Sequence, residues 1–206
     1  MRVSLRRLAL LALLGTLLVF AFAASASAET VDSGSCGETA SWTLDGSGLL
    51  RISGTGVIQD YGIVLQQDPD DPHHVESSYY GEPPWLAYKD QVTALEIGSG
   101  ITGIGRTAFQ GMEKIETVSF PDSLLSIDYR AFYGCSGLRS VSLPSGVKSL
   151  GEESFSGCHG MKELLLPSGL TTVGAGAFAY CSKLETVTMP ACPTELRPGC
   201  SRRPSP

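Results

Sequence analysis

The sequence predicts a mainly β solenoid, about four to five stacked coils of 23 residues with short parallel strands, preceded by a β-hairpin cap. Three observations predict it. Aromatic, cysteine and proline residues recur at one spacing along residues 92–190. Within each recurrence, apolar and polar residues alternate over a short stretch, as a strand with one buried side requires. A hairpin pattern carrying a tryptophan precedes the first recurrence.

Residues 1–28 read as a signal peptide. A basic start (Arg2, Arg6, Arg7) leads into an apolar run from Leu8 to Ala24, and Ala26-Ser27-Ala28 forms an A-x-A site. Cleavage is expected after Ala28. The run is short of the about 20 apolar residues of a comfortable membrane span, so no membrane insertion is expected after cleavage. Removing the three leader arginines leaves 12 basic residues against 21 acidic ones, a net charge near −9. Such a chain repels phosphate backbones, so nucleic acid is not an expected partner.

Residues 29–91 read as the cap. Trp42 and Leu44 alternate on one strand, Asp45-Gly46-Ser47-Gly48 supplies the turn, and Leu50 and Ile52 return on the next. A solenoid's first coil has an open apolar face, and a cap keeps it out of water. Trp42 and Trp85 are the expected covers. Residues 60–89 read as a polar loop. Asp68, Asp70, Asp71, His73, His74 and Glu76 lie in it, but the spacing matches no calcium loop and adjacent histidines diverge in an extended chain. A solvated acidic loop without metal is the expectation.

Residues 92–190 carry the recurrence. Phe109, Phe132, Phe155 and Phe178 are 23 residues apart, as are Pro121, Pro144, Pro167 and Pro190. Ile115, Leu138, Met161 and Leu184 form another column, and Val118, Val141, Leu164 and Val187 the next. Ile104, Ile127, Leu150 and Val173 complete the set. In Glu116-Thr-Val-Ser-Phe120, Val118 and Phe120 alternate with Thr117 and Ser119, and Pro121 ends the strand because it has no N–H to give. A second extended piece runs from Leu124 to Ile127 before the turn at Ala131-Phe132. One such coil leaves both faces bare, so stability belongs to the stack. The period lies in the leucine-rich-repeat range, and the expected fold is a right-handed leucine-rich-repeat solenoid.

The run Leu138-Arg-Ser-Val-Ser-Leu-Pro144-Ser-Gly-Val-Lys-Ser-Leu-Gly151-Glu-Glu-Ser-Phe155-Ser-Gly-Cys158 resembles the BspA-like bacterial surface-antigen leucine-rich repeats. Ser33-Gly-Ser-Cys36-Gly, Trp42-Thr-Leu, Gly48-Leu-Leu-Arg-Ile-Ser-Gly54-Thr-Gly56 and Pro84-Trp85 resemble the cap that precedes them. The resemblance implies a secreted or surface-displayed protein of bacterial origin, associated with adhesion to host or extracellular-matrix proteins, and often one part of a larger chain.

Cys135, Cys158 and Cys181 share a register with Met112, so a small buried hydrophobe explains the column better than a disulfide does. Cys192 and Cys200 are spaced to close a short loop, and Cys36 has no evident partner. No nucleophile–base pair, phosphate loop or cofactor motif appears. The expected protein is not an enzyme and takes no cofactor.

Binding is therefore the expected work, of an extracellular protein or glycan. Solenoids bind with the outward residues of stacked strands. Those nominate Glu116, Ser119, Arg139, Ser142, Lys162 and Leu165, a mostly small and polar surface without strong anchors. Tyr61, Tyr79 and Tyr80 in the cap and loop are the richer candidates, so binding is expected to use the cap loop together with the first coils. Residues 191–206 read as an irregular tail, a truncated repeat. Pro193 stands where Leu170 should recur and Ser201 where Phe178 should. The last coil is then left uncovered, a surface for self-association. The competing expectation is a structural spacer of a larger secreted protein.

Overall fold

The computed structural model describes residues 28–67 and 75–188 of the 206. The chain opens as an antiparallel meander of β1 (Thr30–Ser35), β2 (Ala40–Asp45) and β3 (Leu49–Gly54). The turn between β2 and β3 is held by Asp45, whose carboxylate accepts from the Ser47 N–H (2.9 Å), the Ser47 hydroxyl (2.5 Å) and Arg51 (2.8 Å). Then follow β4 (Gly56–Ile58), the pair β5 (Ile63–Gln67) and β6 (Val75–Tyr79), and a 3-10 helix at Pro84–Tyr88.

From there each coil contributes two short strands. They are β7 (Ala94–Ile97) and β8 (Ile101–Ile104), β9 (Thr117–Ser119) and β10 (Ser126–Ile127), β11 (Ser140–Ser142) and β12 (Ser149–Leu150). The series closes with β13 (Glu163–Leu165), β14 (Thr172–Val173) and β15 (Thr186–Thr188). Equivalent strands pair in parallel and in the predicted register. Val141 lies beside Leu164 and Leu164 beside Val187 on one side of the coil. Ile104, Ile127, Leu150 and Val173 line up on the other.

The turns between the two sides are also stitched coil to coil. The N–H of Phe109 donates to Ala131 (2.8 Å), that of Phe132 to Ser154 (2.7 Å) and that of Phe155 to Ala177 (2.8 Å). The buried turn backbone thus finds partners in the next coil, as any desolvated N–H must. Two left-handed positions make the turn. Thr107, Arg130 and Glu153 (φ 51 to 53°) hold the first, and Gly111, Gly134 and Gly157 (φ 72 to 76°) the second.

A column of rings runs through the core. Trp85 stacks on Phe109 (centroids 5.1 Å), Phe109 on Phe132 (5.2 Å) and Phe155 on Phe178 (5.7 Å). Beside it Cys135, Cys158 and Cys181 are free thiols. Each Sγ lies 3.2–3.4 Å from the carbonyl oxygen of the phenylalanine one coil earlier, to which the S–H donates.

The cap is built as the residue pattern suggests, with Trp42 edge-on to Trp85 at 6.1 Å. The Trp85 indole N–H donates to the Ala108 carbonyl (2.8 Å), fixing the cap to the first turn. Tyr88 donates its hydroxyl proton to Asp32 (2.6 Å), tying β1 to the helix.

Two features differ from the sequence reading. The parallel ladders start inside the cap, because β3 pairs with β7 and β4 with β8. The first coil therefore begins near Leu49 rather than at residue 92. The segment read as a polar loop also holds a β-hairpin, β5 against β6, with Ile63 opposite Tyr79. Ile63-Val64-Leu65 is a strand-forming run, and the polar composition of the residues after it conceals the pairing. The hairpin is thus an insertion in the first coil. The acidic and histidine-bearing positions 68–74 and the tail 191–206, with Cys192 and Cys200, lie outside the described residues.

Candidate binding groove

The strand-face candidates lie where the register places them. Glu116, Ser119, Arg139, Ser142, Lys162 and Leu165 are all exposed. Ser142 and Leu165 are direct neighbours on paired strands. Arg139 and Glu116 form an ion pair at 2.9 Å with both side chains more than half exposed, a contact worth little in water. Arg51 extends the face into the cap and pairs with Glu96 at 3.2 Å. This surface is flat, polar and partly self-neutralised.

Of the three tyrosines, two remain surface candidates. Tyr79 is 68% exposed and Tyr80 47%. Tyr61 is 1% exposed, and its ring packs edge-on to Trp85 at 5.7 Å. Burial pushes its hydroxyl pKa far above the ordinary value. Tyr61 is a core residue of the first coil and is withdrawn as a ligand contact. The sequence nominated it for its place near a polar segment, but the hairpin insertion begins only after it.

Beside the exposed tyrosines lies a groove of about 370 Å³. One wall is the base of the insertion, with Gly62, Ile63, Gly81, Glu82, Pro83 and Leu86. The other wall is the turn edge of the following coils, with Thr107, Gln110, Tyr129 and Arg130. The base is fixed by backbone bonds from the Gly62 N–H to Gly81 (2.7 Å) and from the Tyr80 N–H to Gly62 (2.9 Å). The Thr107 hydroxyl donates to the Tyr61 carbonyl (2.8 Å), and the Arg106 N–H to Asp60 (2.8 Å), so the chain entering the insertion is pinned to the next coil.

Arginines and tyrosines alternate along this edge. The Arg106 guanidinium lies 4.7 Å from the Tyr129 ring centre and that of Arg130 lies 4.9 Å from it. Arg130 is also 5.0 Å from the Tyr133 ring. Arg130 donates through Nε to Glu153 at 2.5 Å, and this carboxylate raises its pKa further. Cation–π contact and the ion pair together hold the fork in one plane. Sequence reading missed this edge because it followed the apolar columns. The same spacing puts Tyr129 one coil after Arg106, and Glu153 one coil after Arg130, so the polar columns carried the signal.

Among the described residues, no group of three or more His, Cys, Asp or Glu is placed to hold a metal ion, and no helix is long and apolar enough to cross a membrane.

The chain is similar to known repeat proteins. No curated protein matches it. A leucine-rich repeat protein from Eubacterium ventriosum superposes with a TM-score of 0.55 at 20% identity, over 78% of this chain and 44% of that one. The T. pallidum leucine-rich repeat protein superposes with a TM-score of 0.50 at 24% identity, over 71% of this chain and 66% of that one. This chain therefore spans less than two thirds of either, and the likeness is one of fold. The sequence model of the BspA-type leucine-rich repeat region matches residues 86–201 in six copies. With that match over more than half its length, and with its rungs in the predicted register, the chain belongs to the BspA-type leucine-rich repeat family.

Proposed function

We propose that this protein is an extracellular binding module, secreted or held at a bacterial cell surface, which captures a host or extracellular ligand without catalysing a reaction. The observation that carries the reading is the contrast between its two surfaces. The strand face is flat and mostly small, whereas the hairpin insertion presents Tyr79 and Tyr80 beside a walled groove. Exposed tyrosines have large contact areas and few torsions to freeze, which suits them to be anchors. The leader-like residues 1–28 support export.

The test is capture of the purified chain by immobilised extracellular-matrix proteins and glycans, with matched variants. Tyr79→Ala with Tyr80→Ala should weaken capture about tenfold or more, and Arg139→Glu with Lys162→Glu should change it less. The reverse ranking would move the site to the strand face. Expression with residues 1–28 in place should yield an exported chain starting at Glu29.

A second reading has one observation in its favour. The chain covers only 44% of the E. ventriosum protein, so the stack also suits a spacer in a longer molecule. Absence of capture by the unaltered chain on every immobilised protein and glycan would favour the spacer.

A further inference from the structure

Resting on the reading of the groove as the ligand site, the geometry points to its ligand class: we infer that it takes one ring of a carboxylate-bearing saccharide. Three features of the groove converge on this. Arg130 uses only Nε on Glu153, and its terminal nitrogens donate no hydrogen bond to a described residue. A guanidinium clamped between Tyr129 and Tyr133 with its outer donors unspent fits a carboxylate in bidentate fashion. The second feature is the set of other polar side chains. Gln110 and Glu82 end in flat amide and carboxylate groups, which bridge adjacent hydroxyls as a sugar ring presents them. Glu82 opposes a second ligand charge, so one carboxylate per ring is the limit.

The third feature is size and surroundings. A groove of about 370 Å³ lies at the small end of small-molecule ligand sites. Tyr80, 47% exposed and adjacent to the groove wall, offers a ring on which the C–H face of a further sugar can stack. Arg106 acts through Tyr129 and not on the ligand. Its Nε is buried without a partner, and its contact is the 4.7 Å stack. It is a positioning residue.

Titration calorimetry on residues 29–206 decides this with three probes: a galacturonic-acid oligosaccharide, its neutral galactose counterpart, and a glutamate-rich peptide. The expected order is uronate first, with the neutral sugar at least about tenfold weaker, the loss of one bidentate charge pair. Arg130→Lys should lose about tenfold on the uronate and nothing on the neutral sugar. Gln110→Ala, at a half-buried side chain that makes no hydrogen bond to a described residue, should weaken both sugars and leave the melting temperature unchanged. Equal binding of the two sugars, preference for the peptide, or binding indifferent to Arg130→Lys and Gln110→Ala would overturn the inference. So would absence of binding to all three probes. If the sugars fail while Tyr79→Ala and Tyr80→Ala still abolish capture, the saccharide class falls and the groove-side site stands. If those tyrosines are also silent, the site itself falls.

Discussion

The rings of Phe132 and Phe155 lie face to face, centroids 5.0 Å apart and planes within 3° of parallel, although 23 residues separate them. Both are fully buried. Each ring is therefore covered above and below by the ring of another coil, whereas Phe178, the last ring of the column among the described residues, is half-buried. Phe132→Ala should cost about 3–5 kcal/mol, the usual range for a truncated core aromatic. Phe178→Ala, at a half-buried ring, should cost clearly less. Urea denaturation of the two variants checks the ranking, and equal costs would contradict graded burial along the stack.

A matched pair tests the left-handed turn. Gly134 has φ 72°, and a Cβ built there would meet nothing closer than 3.9 Å. Gly134→Ala should therefore cost about 1–2 kcal/mol from backbone strain alone. Tyr180 occupies the same column with φ 59° and is 76% exposed. Tyr180→Gly should stabilise by about 0.5–1 kcal/mol. Thermal melts reporting the same sign for both would rule out this account of the turn.

Ser154 stands in a column otherwise filled by Ala108, Ala131 and Ala177, and its buried hydroxyl has no partner. A desolvated, unpaired hydroxyl is a liability. Ser154→Ala should raise stability by about 1 kcal/mol. A loss of that size would mean that the hydroxyl bonds an internal water.

Asp45 gives the cap an acid limit. Its pKa is held at about 2, from an ordinary 3.8, first by the Ser47 hydroxyl, then by the N–H of Ser47 and by Arg51, against the opposing effect of burial. A depressed folded-state pKa adds stability that is complete above 3.8 and is lost as pH falls toward about 2. The unfolding midpoint should drop over that window, and Asp45→Asn should flatten the drop while lowering stability at neutral pH. An unchanged acid limb in the variant would remove Asp45 from the explanation.

The cysteine column should be chemically silent. Burial pushes the Cys135 thiol up to about 12 and Cys36 to about 11, and Cys158 rises further. At pH 8 the native chain should leave these three unalkylated, with Cys181, half-buried, reacting slowly. Residue-resolved mass spectrometry before and after guanidinium unfolding checks this. Native labelling of Cys135 at the unfolded rate would contradict a ladder of thiols bonded to backbone carbonyls.

What repeated was legible in the sequence. Val141 and Leu164 announce a buried strand position twice over, although Val187 in the same column is exposed on the last described strand, and Pro144 and Pro167 mark where each strand stops. What occurs once was not. The hairpin from Ile63 to Tyr79 has no second copy to set its register, so its composition hid its pairing. Tyr61 was misplaced for the same reason, since only the pairing shows that it precedes the insertion and packs on Trp85. The groove depends on where that insertion lies against the turn edge, and local pattern does not encode such a juxtaposition. The Arg106–Tyr129 stack was within reach, because it obeys the 23-residue spacing that the apolar columns revealed.

The central claim is that each coil is held by its neighbour. It is tested most directly by a double-mutant cycle on Phe132 and Phe155, with leucine substitutions to keep the chain folded. The account predicts a coupling of about 0.5–1.5 kcal/mol between the two rings. Additive effects, with no coupling beyond error, would place the two phenylalanines in separate cores and contradict it.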